Sequence, residues 1–349
     1  MSKPVVILAD PDYMGYLDQL QVKFVEEQMN DIELEVITDP EYFRLYFSTP
    51  RRAGVLVVSE EFYHPDLHKH NIQHVFLLSE QPDVAGGTEN LSVQKLQKYS
   101  SVKSIYNAVV SLCPDIFGTH QTLKTTQVIA VTSPFGGSGK TTTALGISAC
   151  LAQSYKKVLY VDAEQIQTFQ YFLENQGAVP MAAMQKLLNS DEQLYSGLLS
   201  YLRKEQFSYL PPFPVALNSA GLEPKHLLEF IRAARESGDY DYVVVDTDSV
   251  FDAFKISLFS LADRVILVTE QDAYSVFRTR QYLSNFNYKD SDKYLFICNR
   301  YVISEENALL GASQFFSISE YVESRTETIT KCKDLTELDG FQKMAYMLS

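Results

Sequence analysis

The sequence predicts an α/β protein made of two parallel-sheet domains in series. Short apolar runs recur along the chain at spacings that leave room for a helix between them. One of these runs passes through the glycine-rich segment Gly136-Gly137-Ser138-Gly139-Lys140-Thr141-Thr142 into a helical stretch. Several later runs end in an acidic or amide residue. Strands alternating with helices imply doubly wound parallel sheets, and 349 residues are enough for two such domains.

The first domain is expected over residues 1–117. Val5 to Ala9 is a buried strand, followed by a helix over Gly15 to Gln28. Glu33 to Ile37 is a second strand, and a helix follows over Pro40 to Tyr46. Gly54 to Val58 and His74 to Leu78 are the third and fourth strands. A weaker fifth element lies near Leu91 to Leu96, and Ser101 to Leu112 closes the domain as a helix. The polar, turn-rich residues that follow, 118–126, read as a linker.

The second domain is expected over 127–349. Its first strand is Val128 to Val131, and the helix after the glycines runs from Thr142 to Leu151. Further strands are Val158 to Val161, Tyr242 to Val245, Arg264 to Thr269 and Tyr294 to Cys298, with a sixth over Gln314 to Ile318. Leu335, Leu338, Phe341, Ala345 and Leu348 share helical spacing, which predicts a last helix packed on the sheet rather than one lying on a membrane.

The chain carries a formal charge of −14, and each half, divided at residue 125, carries −7. Neither half is a basic module, so nucleic acid is not an expected partner, nor is an anionic bilayer in bulk. Cys113, Cys150, Cys298 and Cys332 are far apart and form no metal-binding pattern, as suits a reducing cytoplasm. No apolar run reaches the length of a membrane span. The expected location is therefore the cytoplasm, with any membrane contact peripheral or made through partners.

A strand, a glycine-rich turn and a helix N-terminus together make an anion site, because backbone N–H groups and the helix dipole converge on phosphate oxygens. Glycines at 136, 137 and 139, with Ser138 between them, let the backbone wrap closely. Lys140 would reach the β/γ-phosphates and the Thr141 hydroxyl would ligate Mg²⁺, with Thr142 in the helix's first turn. The full P-loop pattern places a glycine at 134, where this chain has Pro134.

Asp246, after four apolar residues, is a candidate metal-holding acid. Asp162 and Glu164 end the strand after the P-loop helix. Asp162 is assigned to the metal shell, while Glu164 is either a residue that orients the attacking water or a solvated loop acid. Asn299 is either an amide that reads an adenine edge or a turn residue, and Arg300 follows it.

Taken together, these segments resemble the ParA/MinD group of P-loop ATPases. The resemblance covers about 220 residues from Gln127 onward. It implies ATP and Mg²⁺ as ligands and an ATP-dependent homodimer. In that group a further lysine lies five residues before the P-loop lysine and reaches a partner's phosphates; here that position is Phe135, so hydrolysis is expected to be slow.

The first domain resembles a response-regulator receiver. Asp10 and Asp12 fall at the acidic pair after the first strand, and Ser79 at the hydroxyl position after the fourth. Lys95 or Lys98 stands for the later lysine, but the phosphoryl-accepting aspartate is replaced by Ser59. A pseudo-receiver joined to such an ATPase is similar to the TadZ/CpaE group. That resemblance implies a localisation or assembly factor for a Tad-type pilus or secretion system, at the inner face of the cytoplasmic membrane or a cell pole, with pilus machinery proteins as partners. The competing readings are a polysaccharide-export-type tyrosine kinase, which the lone Tyr346 in the tail disfavours, and a ParA-like partitioning ATPase, which the acidic charge disfavours.

Overall fold

The computed structural model describes residues 3–11, 16–28, 32–80, 93–98, 102–117, 126–189, 194–288, 292–325 and 328–349. Asp12, Leu91, Ser101 and residues 118–125 of the expected linker lie outside them. The chain divides into two compact units, Met1–Leu123 with Ser154–Lys156, and Lys124–Gln153 with Lys157–Ser349.

In the first unit the order is β1 (Val5–Ala9), α1 (Tyr16–Gln28), β2 (Glu33–Ile37), α2 (Pro40–Tyr46), β3 (Arg52–Ser59), β4 (Asn71–Ser79), β5 (Val93–Gln97), α3 (Val102–Leu112) and the single turn α4 (Pro114–Phe117). The strands form a parallel sheet in the order β2-β1-β3-β4-β5, one of the two common doubly wound arrangements. Alternation along β1 sends Val6 and Leu8 to one core, with Leu17, Phe24 and Ile105, and Ile7 and Ala9 to the other, with Phe43 and Leu67. Proline at the first position of α2 and the Asp39 carboxylate, which accepts from Tyr42 N at 2.6 Å, start that helix. At the C-terminal sheet edge Asp10 and Lys98 form a buried ion pair at 3.1 Å, and Ser59 ends β3 as a buried residue. Lys95, the other lysine considered, is exposed.

The second unit runs β6 (Gln127–Thr132), α5 (Lys140–Gln153), β7 (Val158–Asp162), α6 (Met181–Asn189), α7 (Leu194–Leu198), β8 (Arg203–Lys204), β9 (Ser208–Tyr209), α8 (Pro224–Ser237), β10 (Tyr242–Asp246), α9 (Ala253–Leu261), β11 (Arg264–Thr269), α10 (Ala273–Leu283), β12 (Tyr294–Tyr301), β13 (Glu320–Glu323) and α11 (Asp339–Leu348). Among the described residues the sheet has eight strands in the order β13-β12-β11-β6-β10-β7-β9-β8, parallel except for the β8–β9 pair. The strand that carries the glycine loop is therefore central, with β10 and β11 beside it. Val128 and Ala130 point into one core, and Ile129 and Val131 into the other. A strand buried on both faces reads as a continuous apolar run, which is why β6, β7, β10 and β11 were legible.

Helix α5 is buried along most of its length, and α11 lies on the same side of the sheet, sharing one core with it. A Cβ at Gly146 would fall 2.3 Å from the Phe341 ring, so α5 and α11 meet at a glycine. The expected sixth strand, Gln314 to Ile318, is corrected by the structure. Those residues form a turn whose Phe316 stacks on Phe296, with ring centroids 5.0 Å apart, and the edge strand is Glu320–Glu323, pairing Ile297 with Glu320 and Cys298 with Tyr321. An edge strand with charged ends has no apolar run to betray it. The β8–β9 hairpin, two residues to a strand, escaped for want of length.

Candidate functional site

The glycine loop leaves the C-terminal end of central β6 and feeds α5, whose first residue is Lys140. Gly137 has φ +78° and Gly139 φ +88°, values that an L side chain tolerates poorly. The two turns let the backbone double back before the helix begins. Gly136 and Gly137 face solvent, whereas Lys140 is buried. Thr141 and Thr142 are half-buried in the first helical turn.

The acids reach the same place through strand register. In the parallel β7–β10 pair Asp162 lies opposite Asp246, and Asp246 lies opposite Val131 of β6. Glu164 is carried round by a tight turn in which its N–H donates to Asp162 Oδ1 at 2.8 Å. Carboxylate oxygens of Asp162, Glu164 and Asp246 lie within 4.8 Å of one another. Lys140 Nζ is 3.7 Å from Glu164 Oε1.

Burial pushes the Asp162 carboxyl well above its usual range, and the neighbouring Asp246 charge pushes the same way. Asp246 is raised chiefly by burial and then by Glu164, while the Thr141 hydroxyl beside it pulls it back. Glu164 is raised by burial, with Lys140 opposing. Clustered acids of this kind favour a cation.

Three buried polar atoms here have no hydrogen-bond partner among the described residues: Ser138 Oγ, Asp162 Oδ2 and Asp246 Oδ1. Native proteins rarely leave such atoms unpaired. One lies on the glycine loop and two on the facing strand ends, so the residues fit a phosphate ligand accompanied by a divalent cation.

The other sequence candidates lie at the rim. Asn299, buried within β12 two residues before its end, donates from Nδ2 to the Ser138 carbonyl at 2.8 Å, so this amide braces the loop. Arg300 is exposed, has φ +53° and pairs with Glu270 at 3.0 Å. Phe135 is buried, with the Arg278 guanidinium 5.1 Å from its ring centroid. Arg278 also donates to the Pro134 carbonyl at 3.1 Å.

Three contributors were missed in the sequence. Tyr160, fully buried in β7, donates its hydroxyl to Asp246 Oδ2 at 3.2 Å; a tyrosine within a continuous apolar strand needs a partner for its hydroxyl, and that was the available signal. Lys255 sits on the apolar stripe of α9 with Leu258 and Phe259, where a lysine is out of place. Arg278 left no mark in the linear sequence, since only the fold brings α10 to the loop.

A parallel sheet with a glycine loop at its central strand, a buried lysine opening the next helix and acids ending the adjacent β10 and the β7 beyond it has the features of the P-loop nucleotide-binding class. Residues 126–293 match the family model described as an AAA domain. The sporulation initiation inhibitor protein Soj of Bacillus subtilis is 24% identical over 157 residues, 43% of this chain and 60% of Soj. The tyrosine-protein kinase CpsD of Streptococcus pneumoniae is 28% identical over 188 residues, 52% of this chain and 77% of CpsD. The crystal structure of a ParA family ATPase from Chlorobium tepidum TLS matches with a TM-score of 0.54 at 18% identity, over 64% of this chain and 98% of that one; at that identity the likeness is one of fold. The chain spans about half the length of several curated relatives it matches, between 47% and 60% for Soj and two MinD proteins. The second unit is thus similar in sequence to ParA/MinD-type P-loop ATPases. Among the described residues no helix is long and apolar enough to cross a membrane.

Proposed function

We propose that the chain binds ATP with Mg²⁺ at the glycine loop and acts as a nucleotide-switched, homodimeric localisation or assembly factor for a Tad-type pilus or secretion system, with weak ATPase activity. The observation that carries the nucleotide reading is Lys140 at the end of the Gly137–Gly139 turn, 3.7 Å from the Asp162–Glu164–Asp246 cluster, with Ser138 Oγ, Asp162 Oδ2 and Asp246 Oδ1 buried and without hydrogen-bond partners among the described residues.

In this reading Gly136, Gly137, Ser138 and Gly139 present backbone N–H groups to the phosphates, and Lys140 donates to the β/γ oxygens. Thr141, Asp162 and Asp246 would hold the metal, whose charge offsets that of the phosphates when bound. Glu164, close to Lys140 and above its ordinary pKa, would accept a hydrogen bond from the attacking water. Asn299 keeps the loop in shape; Arg300 remains a candidate contact to the base.

The pilus role is supported by the pairing of two units. The first is a receiver-like parallel unit whose third strand ends in Ser59, a residue that cannot form an acyl phosphate. The second is a P-loop unit with Phe135 in place of a lysine. An ATP-linked dimer would tighten nucleotide binding reciprocally.

Calorimetry on Lys140→Ala tests the nucleotide reading. Loss of a charge-assisted hydrogen bond, roughly 1.5–3 kcal/mol, lowers affinity for Mg-ATP about tenfold or more, and unchanged affinity refutes the site. For the cellular role, deletion is expected to remove surface pili. Normal piliation with lost exopolysaccharide would instead favour the kinase reading, which the CpsD match supports and for which Tyr346, 85% exposed near the end of α11, is the available tail tyrosine.

A further inference from the structure

Lys255 is 1% exposed, yet among the described residues both its polar side-chain contacts go to a single residue: it donates to the main-chain carbonyl of Asp248, and its Nζ lies 3.5 Å from Asp248 Oδ1. An ammonium has three donors, and a buried charge so thinly partnered is costly. The segment that places it is short. Asp246 ends β10, residues 247–252 cross beside the glycine loop, and Asp252 caps α9 by accepting from Lys255 N at 3.0 Å. Thr247 ties that crossing to the loop's own strand, its N–H and hydroxyl both donating to the Val131 carbonyl, at 3.2 and 2.9 Å. A Cβ on Gly136 would lie 4.0 Å from Ser249 Oγ, so the crossing runs against the first glycine.

Lys255 is thus bonded to Asp248, the residue next to the Ser249 that runs against Gly136. Its charge opposes that of Lys140 and, like that of Lys140, favours the Glu164 carboxylate. Four carboxylates interact with one or other lysine: Asp162, Glu164, Asp246 and Asp248. With Asp162 and Asp246 given to the metal, Glu164 and Asp248 would still oppose a triphosphate, and the phenyl ring of Phe135 adds no charge.

We propose that Lys255 is a second phosphate-binding cation of the site, supplied within the chain from the first turn of α9, and that it contacts the terminal phosphate of a nucleoside triphosphate. This rests on the nucleotide reading above. Groups at the ends of β7 and β10 flank the loop on the side of the carboxylates, where a metal and the terminal phosphate belong, while the N-terminus of α5 serves the inner phosphates. Lys255 thereby distinguishes a triphosphate from a diphosphate.

The test measures binding of Mg-ADP and of a non-hydrolysable Mg-ATP analogue to the full chain. Wild type, Lys140→Ala, Lys255→Met and Lys255→Gln are compared, with thermal melting of each. The glutamine variant removes the charge and keeps an N–H donor on a side chain one atom shorter, whereas methionine removes both charge and donor. The expected result is about a tenfold loss of analogue affinity in both Lys255 variants. ADP affinity should stay within about twofold, against loss of both ligands in Lys140→Ala. Equal losses for the two ligands, or none, overturn the proposal and leave Lys255 as a tether for residues 247–252. Failure of wild type to bind either ligand overturns the nucleotide reading itself and this proposal with it.

Discussion

The hydroxyl of Tyr160 donates to Oδ2 of Asp246 at 3.2 Å, from one central strand to its neighbour. The other carboxylate oxygen, Oδ1, is buried and has no hydrogen-bond partner among the described residues. One oxygen is thus anchored within the core while the other is presented to the site. Tyr160 acts through Asp246 as a positioning residue.

Tyr160→Phe keeps the ring that packs against Phe169 and Phe207 and removes the hydroxyl. A hydrogen bond to a charged group contributes about 1.5–3 kcal/mol. The fold should survive, and the ratio of nucleotide affinity with Mg²⁺ to that without should fall about tenfold. An unchanged ratio in calorimetry, with melting unchanged, would remove Tyr160 from the site.

Gly139 and Gly137 share a backbone region but not surroundings. A Cβ at Gly139 would meet Asn299 Nδ2 at 2.1 Å and displace the amide that holds the Ser138 carbonyl, whereas a Cβ at Gly137 would meet nothing within 4 Å. Gly137→Ala should cost only the strain of a left-handed residue, about 1–2 kcal/mol. Gly139→Ala should cost that and lose nucleotide affinity as well. Asn299→Ala should reproduce the affinity loss without the strain. Equal affinities in Gly137→Ala and Gly139→Ala, by titration, would deny Asn299 its bracing role.

Phe135 is covered by Arg278, which is half-buried and held by the Pro134 carbonyl. Slow turnover is expected from the missing cation, because charge stabilisation by an added cation can be worth about 10³-fold or more in such enzymes. Phe135→Lys alone would set a second cation beside Arg278. The gain in turnover is therefore expected in Phe135→Lys combined with Arg278→Gln. Fast wild-type hydrolysis in a steady-state assay would count against the account.

Burial lowers the Lys255 ammonium to about 8, with Lys140 pushing the same way and Asp248 and Asp252 opposing. The unfolded chain keeps the ordinary lysine value of 10.5. Between these values the unfolded state binds more protons than the folded one, so this group makes stability rise with pH across the window. Lys255→Met should flatten that rise. Urea midpoints for both proteins at several pH values from about 7.5 to 10 check it, and parallel curves would refute it.

Much of the second unit could be read directly. Val128 to Val131, Val158 to Val161, Tyr242 to Val245 and Arg264 to Thr269 all fall on observed strands, because strands buried on both faces cannot be written in polar residues. The charged edge strand Glu320–Glu323 and the β8–β9 hairpin went unseen, since an edge need bury little. Phe315, Phe316 and Ile318 drew the assignment to the wrong segment: their apolar character serves a turn packed on the core, not a strand.

The sequence by itself determined the chemistry of the candidate site: glycines where the backbone turns left-handed, Lys140 at a helix start, and acids at the ends of apolar runs. These are local facts, set by φ preference, helix termini and the period of a strand, and a linear chain records them. Only the tertiary structure decided which groups share the space. Strand register brought Asp162 opposite Asp246, the strand order set Tyr160 beside the acid it steadies, and helix packing carried Arg278 to the loop. Those pairings join residues far apart in the chain, and the order of strands and the faces that helices bury fix them through closure of the core, not through any local preference.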